Sequence, residues 1–511
     1  MLLLAGGAHA LSLAWPFTFG WIQGQALWWL QLASLALLVG QLERASSWQA
    51  AARTGWLFSL ASLCGTFWWL YISLHTYGGL PAALSVLAVL VLGGMLALIY
   101  AAACAIYVAL RPRGKASSAL LFAAAWTLAE LARGNWLTGF PWGAGGYAHV
   151  DGWLGAYAPW LGVYGVGAVS AWVAATLRQF LRCGNGQRLA LALVLALPSL
   201  VAMKQGPQIA AGPTLAVTLL QGNIPQDQKF QPGTGVLDSL GWYGAQLRAA
   251  TTPLVVAPET AIPVLPQDLP AGYWDALQSS FGHAGATPRA ALIGIPLGSM
   301  SDGYTNSVLG LKAAQSAPYH YDKQHLVPFG EFTPALFKWF TRLMNIPLGD
   351  FNRGAYVQSA FEWQGQRLAP NVCYEDLFGE ELGARFAHPA TAPTIFVNVS
   401  NLGWFGDSVA IDQHLNIARM RSLEFARPSL RATNTGATAI IDHHGVVTYS
   451  LPRLKRGALV GQVQGMGLSA ATGWDITPYA AWVSRLGLWP LWTLALALLV
   501  LAYGRQRRSR R

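Results

Sequence analysis

Two patterns of apolar and polar positions divide the chain. Up to about residue 204, apolar stretches of roughly 20 residues recur with short polar turns between them. That is the length an α-helix needs to cross a hydrocarbon core about 30 Å thick. The stretches predict helices at 2–15, 24–41, 55–74, 84–110, 117–133, 158–180 and 189–204, with an eighth at 486–503. The first is short and has no basic region before it, so it also reads as a signal peptide. The lack of a cleavage pattern and the segments that follow favour an uncleaved first helix.

From "GPQIAAGP" (206–213), which reads as a linker, the pattern shortens. β-rich runs occur at "TLAVTLLQ" (214–221), "PLVVAP" (253–258), "AALIGIP" (290–296), "TNSVLGL" (305–311), "PTIFVNVS" (393–400) and "ATAIID" (437–442). Helix-length segments lie at about 236–249, 270–282, 375–387 and 408–426. Strands alternating with helices predict a mixed or parallel sheet covered on both faces. The expected division is therefore a membrane bundle of about seven helices (1–204), an α/β domain (205–482), and a final membrane helix with a basic tail (483–511).

Charge gives the bundle an orientation. The 511 residues carry a formal net charge of +11. Residues 205–482 hold 17 Lys and Arg against 19 Asp and Glu, which leaves 16 basic and 3 acidic residues on the apolar part. A nucleic-acid site would gather its charges on a folded domain; these lie between and beyond apolar segments. Arg44, Arg53, Arg111, Arg113, Lys115, Arg178, Arg182, Arg188 and "RQRRSRR" (505–511) place 13 of the 16 on one side. By the positive-inside asymmetry both termini are expected in the cytoplasm. The 205–482 domain then faces outward, which in a bacterium is the periplasmic side of the inner membrane.

Four cysteines occur: Cys64 and Cys104 in apolar runs, Cys183 in a basic loop, and Cys373 alone in the polar domain. Cys373 has no partner there, which excludes a disulfide framework. No CxxC or clustered Cys/His spacing points to zinc, and neither metal nor cofactor is expected. Cys373 stands in "LAPNVCYEDLFG" (368–379), at the end of a strand, with Tyr374, Glu375 and Asp376 opening a helix. Two more strand ends carry reactive residue types: "VVAPETAIP" (255–263) offers Glu259, and "YDKQHLVPFGEFTP" (321–334) offers Lys323, His325 and Glu331. Each alone reads blandly, as a capping Glu, a solvated Lys or a structural Cys. Together they meet a chemical need. A thiol near its free pKa of about 8.5 is mostly protonated at neutral pH and requires a base or a nearby cation. A buried carboxylate can be that base, and a lysine beside it can stabilise the oxyanion formed on attack at a carbonyl.

"PETAIP", "KQHLVPFGEF", "VCYED", "SNLGWFGDS" and "HLNIARMRSLEFARPSLRATNTG" closely resemble motifs of the nitrilase superfamily. They resemble most closely its membrane branch, the apolipoprotein N-acyltransferase family. "LTGFPWGAGGYA" (137–148), "LQGNIPQDQKF" (220–230) and "TPYAAWVSRLGLWPLW" (477–492) extend the likeness over nearly the whole chain. The resemblance implies a multi-pass α-helical membrane bundle joined to a periplasmic αββα sandwich. It implies Glu259 as general base, Lys323 as oxyanion stabiliser and Cys373 as nucleophile, supported by Glu331, Tyr374 and Glu375. Phe230 stands where the family often has Trp, and remains aromatic enough to pack on an acyl chain. Asp376 replaces an aliphatic residue and reads as a complement to a helix N-terminus. Asn306 is placed near the site by the same analogy. Trp142 and Trp404 read as lining for a lipid entry or as interfacial anchors. Glu130 and Arg133, at i,i+3 spacing, read as a pair holding an outer loop or as a lipid headgroup contact.

The implied reaction moves a fatty acyl chain from a phospholipid to the α-amino group of a diacylglyceryl-cysteine apolipoprotein, through a thioester on Cys373. The implied partners are those two lipids and the bilayer, with no nucleic acid, and the protein is expected as a monomer. One rival is a membrane-tethered amidase with water as acceptor. Against it stands the apolar loop "FTPALFKWFTRLMNIPLG" (332–349), which suits a bilayer-facing lid better than a cover over a polar substrate. A second rival, a non-catalytic transporter or scaffold, requires polar residues along several membrane helices, and few occur beyond Glu130 and Arg133. The third is a papain-like Cys–His pair using His325 or His414, which leaves the Glu and Lys motifs without a role.

Overall fold

The computed structural model describes residues 1–111, 115–180, 183–203, 209–282, 288–313, 317–333, 350–467 and 475–510. Apolar helices open the chain: α1 (Leu2–Leu11), α2 (Trp28–Leu42), α3 (Trp48–Phe67), α4 (Ala82–Leu110), α5 (Lys115–Asn135), α6 (Ala158–Arg178) and α7 (Asn185–Met203). Each overlaps one predicted span, but α1, α2 and α6 are shorter than expected. α1 stops at Leu11, about 15 Å of helix at 1.5 Å per residue, and a non-helical segment containing Pro16, Gly20 and Gly24 runs to Trp28. Among the described residues, length and composition qualify Ala82–Leu110 and Trp153–Arg178 to cross a membrane. The number becomes four if each of two bent pairs counts as one span: Trp48–Phe67 with Leu70–Tyr77, bent 59°, and Pro478–Leu486 with Trp489–Arg508, bent 85°. Within the bundle, Cys64 and Cys104 pack against glycines. A Cβ on Gly93 would stand 2.6 Å from Cys64 Sγ, and one on Gly55 would stand 2.7 Å from Cys104 Sγ.

The second half alternates β1 (Ala211–Gln221), α8 (Leu237–Ala249), β2 (Leu254–Ala257), α9 (Tyr273–Gly282), β3 (Ala290–Ser299), β4 (Gly303–Lys312), β5 (Tyr319–Asp322), β6 (Phe361–Trp363), β7 (Gln366–Val372), β8 (Ile395–Ser400), α10 (Ala410–Phe425), β9 (Ser429–Thr433), β10 (Ala439–Ile441), β11 (Val447–Ser450) and β12 (Gly457–Met466). The chain ends in α11 (Pro478–Leu486) and α12 (Trp489–Arg510). The strands form two six-stranded sheets rather than one: β12-β1-β2-β3-β4-β5 and β11-β10-β9-β8-β7-β6.

Period-two burial on both faces of the strands explains the stack. Leu220, Val255, Ala257, Ala291 and Ile293 turn one face of the first sheet toward Leu240, Tyr243 and Leu247 of α8 and Leu277 and Phe281 of α9. Their neighbours Val217, Leu219, Leu254, Val256 and Leu292 turn inward, against Leu368, Val372, Val397, Val399 and Leu430 of the second sheet. On that sheet's outer side Ala369 and Phe396 meet Ile417, Met420 and Phe425 of α10, in a core continuous with bundle residues such as Trp142, Tyr147 and Val163. The layers run helix, sheet, sheet, helix, and the last layer rests on the bundle.

Candidate active site

β1, β2 and β3 run parallel in one sheet, and β7, β8 and β9 run parallel in the other. Parallel strands collect their carboxyl ends along one edge, where such sheets place their ligand sites. β2 leads to Glu259, β5 to Lys323, β7 to Cys373, β8 to Asn401 and β9 to Asn434. Two of these turns are strained. Cys373 has φ +52° and Thr260 has φ +49°, a left-handed conformation that costs a residue with a side chain on the order of 1–3 kcal/mol. After Cys373 the chain enters a 3₁₀ turn, Cys373–Leu377, so the thiol stands at a sharp strand-to-helix bend like other exposed nucleophiles.

Lys323 is 1% exposed and holds two carboxylates. Its Nζ lies 2.9 Å from each oxygen of Glu331 and 3.7 Å from Glu259 Oε1. Asn306 Nδ2 ties the same pair from the other side, donating to Glu259 Oε1 and Glu331 Oε1 at 2.8 Å each. The main-chain N–H of Asn401 donates to Glu259 Oε2 at 2.9 Å, and that of Val327 to Glu331 Oε2 at 2.9 Å. Burial alone would lower the Lys323 pKa, but Glu331 and then Glu259 outweigh it and hold the amine far above its ordinary value. It remains a cation at any physiological pH. Burial pushes the Cys373 thiol up, Glu259 adds to the rise, and Lys323 and the Asn401 amide oppose it. Cys373 therefore rests as a thiol, which must give its proton to a neighbouring base before it can attack.

Glu375 fixes the two loops relative to each other. Its carboxylate accepts from the N–H groups of Val372 (2.7 Å), Gln324 (2.7 Å) and His325 (3.2 Å) and from the Tyr321 hydroxyl (2.9 Å). One side chain thus clamps the residue before Cys373 to the residue after Lys323. Tyr374 points away from the carboxylates and donates to Gly139 O in the bundle loop at 3.1 Å. Asp376 stands in the first turn after Cys373, where it was expected to complement the helix N-terminus, and it is also the partner of a buried arginine: it is 2% exposed and accepts from Arg431 Nη1 at 2.6 Å.

The histidines do not form a Cys–His pair. His325 Nδ1 lies 2.8 Å from Glu381 Oε1 and its ring stacks on Phe378. His414 Nδ1 faces Arg431 Nη2 at 2.7 Å. A guanidinium only donates, so His414 accepts at Nδ1, and its own proton sits on Nε2 and points at Cys373 O, 3.2 Å away. Burial and Arg431 hold its pKa well below the usual range, so the ring stays neutral. It supports the carbonyl of the turn, as does Asn398 Nδ2 at 3.3 Å.

Trp142 is buried, stacks on His414 with centroids 5.4 Å apart, and donates through Nε1 to Gln413 Oε1 at 2.8 Å. Glu130 and Arg133 hold its loop. Arg133 donates to Phe140 O and Trp142 O and pairs with Glu130, which accepts from Gly145 N at 3.0 Å. Of the two readings of that pair, the loop clamp matches these bonds. Trp404 is half-buried, edge-on to Tyr77 at 5.8 Å, and Phe230 is half-buried beside Lys229. Of the loop 332–349 expected as a lid, residues 334–349, with Leu336, Phe337, Trp339 and Phe340, lie outside the described residues, and Phe332 is described. Asn401, Asn398 and Lys229 were missed as site residues. Asn401 contributes through its main-chain N–H, which leaves no mark on residue type, while Asn398 and Lys229 use their side chains on main-chain carbonyls, acceptors that every residue offers.

A family profile described as the Apolipoprotein N-acyltransferase N-terminal domain matches residues 7–176, and the Carbon-nitrogen hydrolase profile matches 216–471. An apolipoprotein N-acyltransferase of Verminephrobacter eiseniae is 57% identical over 503 residues, spanning 95% of this chain and 92% of its own. One of Ralstonia nicotianae is 42% identical, spanning 94% and 90%. Among solved structures, a carbon-nitrogen hydrolase of Helicobacter pylori G27 aligns with TM-score 0.36 and 14% identity, over 49% of this chain and 89% of that one.

Proposed function

This chain belongs to the apolipoprotein N-acyltransferase family, and we propose that it acylates lipoproteins through a thioester on Cys373, in two half-reactions. In the first, the Cys373 S–H proton passes to Glu259 as sulfur attacks the ester carbonyl of a phospholipid. Lys323 faces the oxyanion. The ester C–O bond breaks, Glu259 returns the proton to the departing alkoxide, and a lysophospholipid leaves. In the second, the neutral α-amine of a diacylglyceryl-cysteine attacks the thioester, Glu259 takes the amine proton, the C–S bond breaks, and the thiol re-forms. Glu331 and Asn306 hold Lys323 and Glu259, and Glu375 holds the turns. Phe230, beside Lys229, and Trp404 are candidates to touch acyl chains, with Trp142 behind His414.

The observation that carries this reading is the resting thiol on a left-handed turn, in the same buried hydrogen-bond network as a carboxylate–ammonium pair. An attached bundle with membrane-length apolar helices supports a lipid substrate. Incubation with labelled phospholipid and no acceptor is expected to leave hydroxylamine-sensitive label on the wild-type protein and none on Cys373→Ala. A peptide with an N-terminal diacylglyceryl-cysteine should discharge it, and the same peptide with a blocked amine should not. Steady release of free fatty acid without acceptor would instead favour a hydrolase.

The division into 1–204, 205–482 and 483–511 and the topology belong to the same proposal. The chain lies in the bacterial inner membrane with both termini in the cytoplasm and the catalytic domain in the periplasm, a reading supported by the one-sided basic loops. A reporter active only in the periplasm should be active after Ala211 and silent after Arg511; the reverse result would overturn the orientation.

A further inference from the structure

Lys229 is the unexplained cation of the site. It closes the turn after β1, where its N–H donates to Pro225 O at 2.9 Å, and it is 0% exposed. Burying an ammonium is costly unless it is paired, yet among the described residues no carboxylate lies within ion-pair distance of it. Its Nζ donates to the main-chain carbonyl of Glu259 at 3.0 Å, directly before the left-handed Thr260. The same turn reaches Asn401 as well, because Gln226 Oε1 accepts from Asn401 Nδ2 at 2.6 Å. Glu259 is therefore gripped at its carboxylate by the Asn401 amide and at its carbonyl by Lys229.

Charge balance gives this grip a consequence. Lys323 alone faces two carboxylates, Glu259 and Glu331. Passing the Cys373 proton to Glu259 leaves the net charge of the site unchanged and moves the negative charge from the carboxylate to sulfur, a shift that a second cation nearby favours. Lys229 lies within electrostatic reach of both Glu259 and Cys373, each of which raises its pKa, while burial exceeds them and brings it down to about 7.

We propose that Lys229 is a positioning residue for acyl transfer: it fixes the Glu259 turn through the carbonyl, and its ammonium is the second cation that lets the Cys373 thiolate form. This rests on the reading of Cys373 as nucleophile and Glu259 as base. The role is electrostatic as well as mechanical, so it is visible at the sulfur without any lipid.

The test is the rate at which iodoacetamide alkylates Cys373 in the full-length, membrane-reconstituted protein, read at that cysteine by peptide mass spectrometry between pH 6 and 10. Below about pH 7, where Lys229 carries its charge, Lys229→Met is expected to slow alkylation about tenfold, the equivalent of one pKa unit at sulfur, and at higher pH the two rates should converge. Lys229→Arg, which keeps the cation, should hold at least the wild-type rate at pH 6. Should Lys229→Met fail to fold, Lys229→Gln replaces it. A neutral variant with the wild-type rate at pH 6 would overturn the proposal. So would a folded Lys229→Arg as slow as Lys229→Met, since charge would then not be what was lost. Label transfer from phospholipid to wild-type Cys373 is run in parallel. Its failure would sink the acyl-transfer reading while leaving the alkylation comparison standing.

Discussion

The two helical layers of the sandwich differ in kind. α8 buries one stripe, Ser239, Leu240, Tyr243, Gly244 and Leu247, and turns the rest to solvent. α10 buries 13 of its 16 residues, among them Asp412, Gln413, His414, Asn416, Arg421 and Glu424. An amphipathic helix closes a sheet; a polar helix buried on every side joins two bodies, because each of its polar groups must find a partner across an interface. The partners are in the bundle. Asn416 Nδ2 donates to Leu13 O and Gly24 O, Gln413 accepts from the indoles of Trp69 and Trp142, and Glu424 accepts from Val163 N at 2.6 Å. Through His414 the same helix touches the carbonyl of Cys373. The bundle is thereby coupled to the candidate nucleophile through this helix, and directly through the Tyr374 hydroxyl on Gly139 O, while α8 and α9 are not involved.

The contrast breaks most directly at Glu424. Removing it strands the buried Arg421, 2.9 Å away, and breaking such a pair costs about 3–5 kcal/mol. Glu424→Ala should sharply lower the thermal midpoint and open the junction to limited proteolysis. Asp238→Ala on α8, which loses only a half-exposed pair with Arg456, should cost less than about 1 kcal/mol. Equal losses would erase the distinction. Leu247→Ala, on the buried stripe of α8, should cost about 2–5 kcal/mol yet leave acylation per folded molecule intact, and a specific activity defect there would refute the division of labour. Gln413→Leu leaves two indole N–H groups without their acceptor. At about 1–3 kcal/mol for a stranded buried donor, it should lower stability modestly and slow acylation by loosening Trp142 under His414. Wild-type acylation rates in this variant would count against the coupling.

A further effect is a pH dependence. Burial raises the Glu424 carboxyl from 4.5 to about 7, with Arg421 opposing. Between those values the folded protein holds a proton that the unfolded chain has lost. By linkage its contribution is then greatest below pH 4.5, falls as pH rises toward 7, and is level above. Thermal midpoints measured across that window should decline less in Glu424→Gln than in wild type; an identical decline would exclude Glu424 as the source.

Much of the site was legible because reactive residues follow apolar runs. Glu259, Lys323 and Cys373 each stand one or two residues beyond β2, β5 or β7, the three strand ends expected to carry them. β9 escaped because a fully buried arginine, Arg431, interrupts its apolar pattern. β12 escaped because two of its buried positions are glycines, Gly461 and Gly465, and an apolar Val460 lies on its exposed face, which blurs the alternation. The alternation pattern alone pointed to one covered sheet and the family resemblance to the two that are found, because residue alternation reports that both faces of a strand are covered, not what covers them.

Residue order alone determined the apolar spans, the strand ends and which side chains could serve as base, cation and nucleophile. These follow from composition and periodicity within a window of a few residues. Folding decided the rest: that the Asn401 amide reaches Glu259 across 142 positions, that Arg431 settles the proton of His414, that Lys229 grips a carbonyl, and that α10 lies buried. Such bonds join groups distant in sequence, and their geometry exists only once two sheets and a bundle have packed, since a hydrogen bond depends on distance and angle and not on the neighbours along the chain.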